Sequence, residues 1–280
     1  MSKISSILKP EELTWLNLDN EIVIVDASAG SKARYDEQHL PGAIFADVND
    51  DLANIGDFAK GGRHPLPTLD QFSKVLQKLG ITKESHVIVY DDKNGSNAAA
   101  RFWWMLKSIG HEKVQVIDGG FQAAVKAGFP VTSKVEIPKS VDKYEVQNWI
   151  LPLSDISEVE RVAKTDDHIV IDVRDANRYA GLTEPIDTIA GHIPGAINIP
   201  FTENLDADGR FLEPEILNEK YTATLKEVKP EDVIVHCGSG ITACHTLLAM
   251  DYAGLPIPKL YVGSWSEWSR NGKEMVLANA

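Results

Sequence analysis

The residues best placed for chemistry lie in one stretch, Val233-Ile-Val-His-Cys237-Gly-Ser-Gly-Ile-Thr-Ala-Cys244. The β-branched run reads as a strand that ends at Cys237, Gly238-Ser239-Gly240 reads as a tight turn, and a helical pattern begins near Thr242. Two glycines allow the backbone to curl until successive N–H groups face inward, and a helix N-terminus behind them adds positive potential. A thiol in such a cradle is favoured as its thiolate and is a good nucleophile near neutral pH. That is the chemistry of a group picked up and handed on. Cys244 falls a turn or two into the helix, where packing is its expected role. Two cysteines exclude a disulfide framework and a four-cysteine zinc site.

The elements that position Cys237 occur twice. Ile22-Val-Ile-Val-Asp26 returns as Ile169-Val-Ile-Asp172, His39-Leu-Pro-Gly-Ala43 as His192-Ile-Pro-Gly-Ala196, Val87-Ile-Val-Tyr90 as Val233-Ile-Val-His236, and Gly119-Gly120-Phe121 as Gly263-Ser264-Trp265. Order and spacing are both kept, so the chain reads as two copies of one domain, 1–140 and 141–280. Each copy alternates short β-branched runs with helical patterns, which predicts an α/β fold with a parallel sheet flanked by helices. Expected strands are Ile22–Asp26, His86–Tyr90, Val114–Ile117, Ile169–Val173, Val233–His236 and Lys259–Val262. Expected helices are Leu69–Leu79, Ala98–Ile109, Pro214–Leu225 and Thr242–Ala253. Residues 128–142 lack a helical period and read as an extended linker. At the position of Cys237 the first copy has Asp91, which cannot carry a transferable atom, so that copy is expected to be catalytically silent.

Composition sets the outer bounds. The 280 residues are 43% hydrophobic and 25% charged, the pattern of a packed chain rather than a disordered one. No apolar run reaches the roughly 20 residues of a membrane-spanning helix. The opening Met1–Pro10 is too short in its apolar part for a secretory signal, so a cytoplasmic home is expected. The net charge of −13 falls mostly on the second copy, which has 12 basic and 23 acidic residues. Such a field argues against nonspecific nucleic-acid binding. No spacing among the eight histidines suggests a metal shell, and Gly119-Gly120 lacks the third glycine of a nucleotide fingerprint. Neither a cofactor nor a metal is expected.

The duplicated plan, the two Pro-Gly-Ala boxes, the loop from Cys237 to Thr242 and Gly263-Ser-Trp-Ser-Glu-Trp268 together resemble the tandem-domain rhodanese sulfurtransferases. The loop Cys-Gly-Ser-Gly-Ile-Thr-Ala is closest to that of the 3-mercaptopyruvate sulfurtransferases. The resemblance implies two rhodanese-like domains and a sulfur carried as a Cys237 persulfide. The donor would be 3-mercaptopyruvate, or alternatively thiosulfate, and the acceptor a small thiol, thioredoxin or cyanide. It also implies substrate binding by Gly238, Gly240, Ile241 and Thr242 of the loop and by Arg178, which matches an Arg-aromatic-x-Gly box. Ser239, His64 and Asp47 match a trio thought to move the proton in mercaptopyruvate enzymes. One departure stands out. The family often has a second arginine between that box and Gly191, but Leu182–Ala190 contains no base, and Arg101 of the first copy is the substitute considered. Arg174 ranks below Arg178, with Asp175 as its expected partner.

Other assignments fit less well. A cysteine phosphatase shares the strand–loop–helix plan, but it needs an arginine at the end of the loop, where this chain has Ala243 and Cys244. A binding module without catalysis suits the first copy better than the second. His39 and His192, repeated with their boxes, are expected in structural turns, and His236 points away from Cys237 by strand alternation. Trp103-Trp104 is expected in a core or interface.

Overall fold

Strands β1 (Ile7–Leu8), β2 (Ile22–Asp26), β3 (Ala43–Phe45), β4 (His86–Tyr90) and β5 (Val114–Ile117) form one sheet, and β6 (Leu153–Ser154), β7 (Ile169–Asp172), β8 (Ile197–Asn198), β9 (Val233–His236) and β10 (Lys259–Tyr261) form another. Both are parallel throughout, and their orders, β1-β5-β4-β2-β3 and β6-β10-β9-β7-β8, are the same order shifted by five strands. The sequence repeat is therefore a structural repeat. This computed structural model describes residues 4–13, 15–16, 21–28 and 32–277.

The central strands β4 and β9 are buried at almost every position, as expected of β-branched runs covered on both faces. Helices α1 (Pro10–Leu13), α2 (Lys32–Glu37), α3 (Leu69–Lys78), α4 (Ala98–Ser108) and α5 (Gly120–Lys126) belong to the first sheet. Helices α6 (Ile156–Val162), α7 (Ala176–Tyr179), α8 (Pro214–Leu225), α9 (Thr242–Tyr252) and α10 (Ser264–Trp268) belong to the second. Helix α3 starts on a capping box in which Thr68 and Gln71 satisfy each other's amides. Sequence-expected ends differ from these bounds by one residue: Leu79, Ile109 and Ala253 are C-caps rather than last helical residues. Val173 and Val262 lie just past their strands. Trp103 and Trp104 are fully buried.

The chain divides into two compact units. The first comprises Met1–Ala53, Pro67–Ile150 and Ala207–Phe211; the second comprises Asn54–Leu66, Leu151–Asp206 and Leu212–Ala280. Residues 128–142 contain no helix, and Thr132 makes an antiparallel bridge with His39. The chain stays with the first unit beyond residue 142. Ser73 Oγ donates to the Tyr144 carbonyl, and the Trp149 ring lies 5.4 Å from Phe72 and 6.2 Å from Trp104.

The duplicated histidines do the same job in each unit. His39 Nδ1 lies 2.7 Å from the Tyr35 carbonyl with its ring stacked on Tyr35; His192 Nδ1 lies 2.7 Å from the Tyr179 carbonyl, stacked on Tyr179. Neither lies in a turn: each makes an isolated antiparallel bridge, His39 with Thr132 and His192 with Val276, just before its Pro-Gly turn.

Candidate active site

Strand β9 delivers Cys237 to the carboxyl edge of the second sheet at its central position, where ligands of open parallel sheets bind. The loop that follows is held from one side by α10. The Cys237 carbonyl accepts from Trp265 N at 3.0 Å, and the Gly238 carbonyl accepts from Ser266 N at 2.9 Å. A trans peptide points its N–H opposite its C=O, so the Gly238 and Ser239 amides face away from α10. Gly240 completes the curl at φ +73°, and a Cβ there would sit 2.6 Å from the Val262 carbonyl oxygen. Ser264 is in the left-handed region at φ 54°, a costly conformation for a residue with a side chain. Its hydroxyl accepts from the Cys237 amide at 3.2 Å and donates to the Tyr261 carbonyl.

The first unit shows what such a loop binds. Asp91 follows β4 as Cys237 follows β9, and its carboxylate takes four amides. Oδ1 accepts from Lys93 and Gly95, both at 2.8 Å, and Oδ2 accepts from Asn97 at 2.9 Å and Ala99 at 3.1 Å. Burial pushes the Asp91 carboxyl above its ordinary value, while these amides pull it back down. In the second unit the corresponding donors include Ser239, Ile241 and Ala243. Their amides have no hydrogen-bond partner among the described residues. The cradle that Asp91 fills is left to the sulfur of Cys237, whose residue is 2% exposed.

His64 lies in the segment 54–66 and belongs to the second unit. Its Nδ1 and the Ser239 Oγ share a hydrogen bond of 2.8 Å. The segment is pinned by Gly61 N to Glu267 at 2.7 Å and by Arg63 N to Ser266 Oγ at 3.0 Å. A Cβ on Gly62 would come within 2.3 Å of the Gly263 carbonyl, so the approach is close. Asp47, the third residue of the expected trio, lies in the first unit. There its Oδ1 accepts the amides of Asn49 and Asp50.

Arg178, on α7, stands beside the loop. Its Nε and Nη2 bond to Glu184 at 3.2 and 2.7 Å, and Nη2 is 3.6 Å from Asp187 Oδ2. A Cβ on Gly238 would meet Arg178 Nη2 at 3.5 Å and Nη1 at 3.6 Å. Arg174 does not pair with Asp175. Asp175 caps α7 by accepting from Asn177 N, and Arg174 forks onto Asp172 through Nε at 3.0 Å and Nη2 at 2.6 Å. That pair is buried under the loop next to His236, whose Nδ1 is 3.2 Å from the Cys237 carbonyl. Burial pushes the His236 imidazole below its ordinary value, against the pull of Asp172. Arg101 is fully buried in the first unit, where Nη2 donates to the Leu52 carbonyl. Cys244 is buried with its thiol donating to the Gly240 carbonyl at 3.3 Å.

Three charged residues near the loop escaped sequence reading: Arg63, Glu184 and Asp187. The signal was present in Leu182–Ala190, whose two acids both become buried and therefore demand cations. Among the described residues, no group of three or more His, Cys, Asp or Glu side chains could hold a metal ion, and no helix is long and apolar enough to cross a membrane.

The sequence matches the rhodanese-like domain over residues 9–127 and again over 155–271. The chain belongs to the rhodanese-like domain family. Among its relatives is a "Probable 3-mercaptopyruvate sulfurtransferase" of Pseudomonas aeruginosa, 40% identical over 254 residues that cover 90% of this chain and 88% of that protein. A thiosulfate sulfurtransferase of Mus musculus is 34% identical over 244 residues, 86% of this chain and 80% of the relative. In structure, the 3-mercaptopyruvate sulfurtransferase of Leishmania major superposes with a TM-score of 0.81 at 32% identity, covering 95% of this chain and 74% of that one. The rhodanese-like copies here are thus a tandem pair, with a cysteine after the central strand in the second copy only.

Proposed function

We propose that this tandem rhodanese is a sulfurtransferase that takes sulfur from 3-mercaptopyruvate onto Cys237 and releases pyruvate. The observation that carries the reading is the open cradle of amides around a single cysteine at the end of β9, beside a partly paired guanidinium. Similarity to 3-mercaptopyruvate sulfurtransferases supports the donor.

The Cys237 thiolate attacks the donor's thiol sulfur. The S–S bond forms as the C–S bond breaks, and the bonding pair stays on carbon as pyruvate enolate. The loop amides of Gly238, Ser239, Gly240, Ile241 and Thr242 stabilise sulfur-borne charge, and Arg178 binds the donor's carboxylate. The enolate carbon takes a proton from Ser239 Oγ, which His64 Nδ1 resupplies. In the second half-reaction an acceptor thiolate, or cyanide, attacks the outer sulfur and returns Cys237 as thiolate. Acceptors of this kind are small thiols and reduced thioredoxin. The reaction needs no cofactor, and the cytoplasm is the setting that keeps Cys237 reduced. The first unit is silent because a carboxylate stands where the carrier sulfur would be.

Intact mass after exposure to 3-mercaptopyruvate tests the reading. One added sulfur, lost in Cys237→Ser and kept in Cys244→Ser, is the expected result; no added sulfur refutes it. A second reading, with thiosulfate as donor, is supported by similarity to the thiosulfate sulfurtransferase of Mus musculus. The ratio of kcat/KM for the two donors decides between them.

A further inference from the structure

We infer that Glu267 is a positioning residue for the proton relay, its carboxylate seating the segment 54–66 so that His64 meets Ser239. It rests on the relay proposed above and names what holds the imidazole in place.

The segment 54–66 contains neither helix nor strand, so side-chain contacts must fix it. Asn271 Nδ2 donates to the Ala59 carbonyl at 2.9 Å, and the Arg270 guanidinium lies 5.5 Å from the centre of the Phe58 ring. Arg63 Nη1 is bonded to Asp187, whose Oδ1 also takes Arg270 Nη1 at 2.9 Å. Nearest the relay are two residues of α10. Glu267 Oε1 accepts from Gly61 N at 2.7 Å, and Ser266 Oγ accepts from Arg63 N at 3.0 Å. Between these points the chain bends through Gly61 and Gly62, at φ +88° and +78°. The Glu267 side chain folds back over Gly263, where a Cβ would come within 1.8 Å of Oε2.

Helix α10 thus has two duties, and its residues divide them. The amides of Trp265 and Ser266 hold the cysteine loop through the Cys237 and Gly238 carbonyls. Ser266 serves both, since its Oγ also takes the Arg63 amide. Glu267 differs. Its amide stays within the helix, on the Gly263 carbonyl at 3.0 Å, and its carboxylate goes to the segment that carries His64. Removing that carboxylate frees the chain three residues before the imidazole and leaves the anchors of the loop in place. The 2.8 Å bond between His64 and Ser239 tolerates little drift, and a displacement of about 1 Å can cost on the order of 100-fold in rate.

The test follows two steps that share Cys237. Pyruvate release in a single turnover needs a proton delivered to carbon; transfer from a preformed persulfide to cyanide does not. Glu267→Ala should slow the first about 10-fold, less than loss of the imidazole itself, and leave the second within about 2-fold. Glu267→Gln keeps an oxygen for the Gly61 amide and should restore pyruvate release to within about 3-fold of wild type. In a His64→Gln background, Glu267→Ala should add no more than about 2-fold, because it acts through His64. Gly62→Ala pushes the segment off α10 from the other side, since its Cβ would meet the Gly263 carbonyl oxygen at 2.3 Å, and should give the same selective loss. It decides the matter if Glu267→Ala loses its thermal transition. Equal losses in both steps, as a merely structural residue would give, or no loss in either, overturn this inference alone. Pyruvate release that His64→Gln does not slow overturns the relay and this inference with it, and wild-type protein that takes no sulfur from 3-mercaptopyruvate overturns the donor as well.

Discussion

Asp91 and Cys237 stand at the same point of two copies of one loop, each just after the central strand of its sheet. In one copy a carboxylate closes on four amides; in the other, corresponding amides are left without a partner among the described residues. A single substitution at this point thus separates a self-filled loop from one open to a ligand's charge. Asp91→Ala should strand four buried donors and destabilise the protein by about 2–4 kcal/mol. Urea unfolding followed by far-UV circular dichroism measures it, and an unchanged midpoint would show that the loop does not need its carboxylate.

Proton delivery by Ser239 and His64 makes them one functional unit. Ser239→Ala and His64→Gln should each slow pyruvate release in a single turnover by about 100-fold. The double variant should be little slower than either alone, since both remove the same step. Transfer from a preformed Cys237 persulfide to cyanide passes no proton to carbon and should be spared. The resemblance adds Asp47 to this unit, and Asp47→Asn should then cut pyruvate release about tenfold. Rapid-quench assays of pyruvate resolve each case, and multiplicative losses in the double variant would separate the two residues.

How far the site is legible in the sequence depends on the distance over which each relationship acts. Strands β2, β4, β5 and β9 match their β-branched runs residue for residue, because a buried parallel strand writes its apolar character into consecutive positions. The two-residue strands β1, β6 and β8 leave no pattern to read. Cys237 and its turn are local and stand out. The Arg63–Asp187 pair spans 124 positions and the His64–Ser239 bond spans 175, so nothing in either neighbourhood announces the partner. Arg174 shows the same limit at short range. Asp172 and Asp175 are both near in sequence, and helix capping by Asp175 decides between them.

Asp187 is the buried counter-charge of a cationic cluster. Asp187→Asn should leave Arg63, Arg178 and Arg270 facing one another and cost about 3 kcal/mol of stability. Arg63→Gln in the same chain removes one of the three cations and should recover part of that loss. A thermal-melt double-mutant cycle gives the coupling, and strict additivity would mean that the two side chains do not interact.

His111 supplies a pH signature independent of the site. It is buried in the first unit with Nδ1 3.1 Å from the Tyr144 hydroxyl, and burial pushes its pKa from 6.5 down to about 4. Above pH 6.5 the imidazole is neutral whether the chain is folded or not, so it exerts no pH-dependent effect there. As the pH falls from 6.5 toward 4 the unfolded chain takes up a proton that the folded one refuses, and stability drops. Below about 4 both forms are protonated and the loss levels off, at ~3 kcal/mol if the full difference is expressed. His111→Gln removes the titrating group. The difference in unfolding free energy between variant and wild type should therefore shift in favour of the variant between pH 6.5 and 4, then flatten. Urea titrations across that range measure it, and a pH-independent difference would mean that His111 titrates normally in the folded protein.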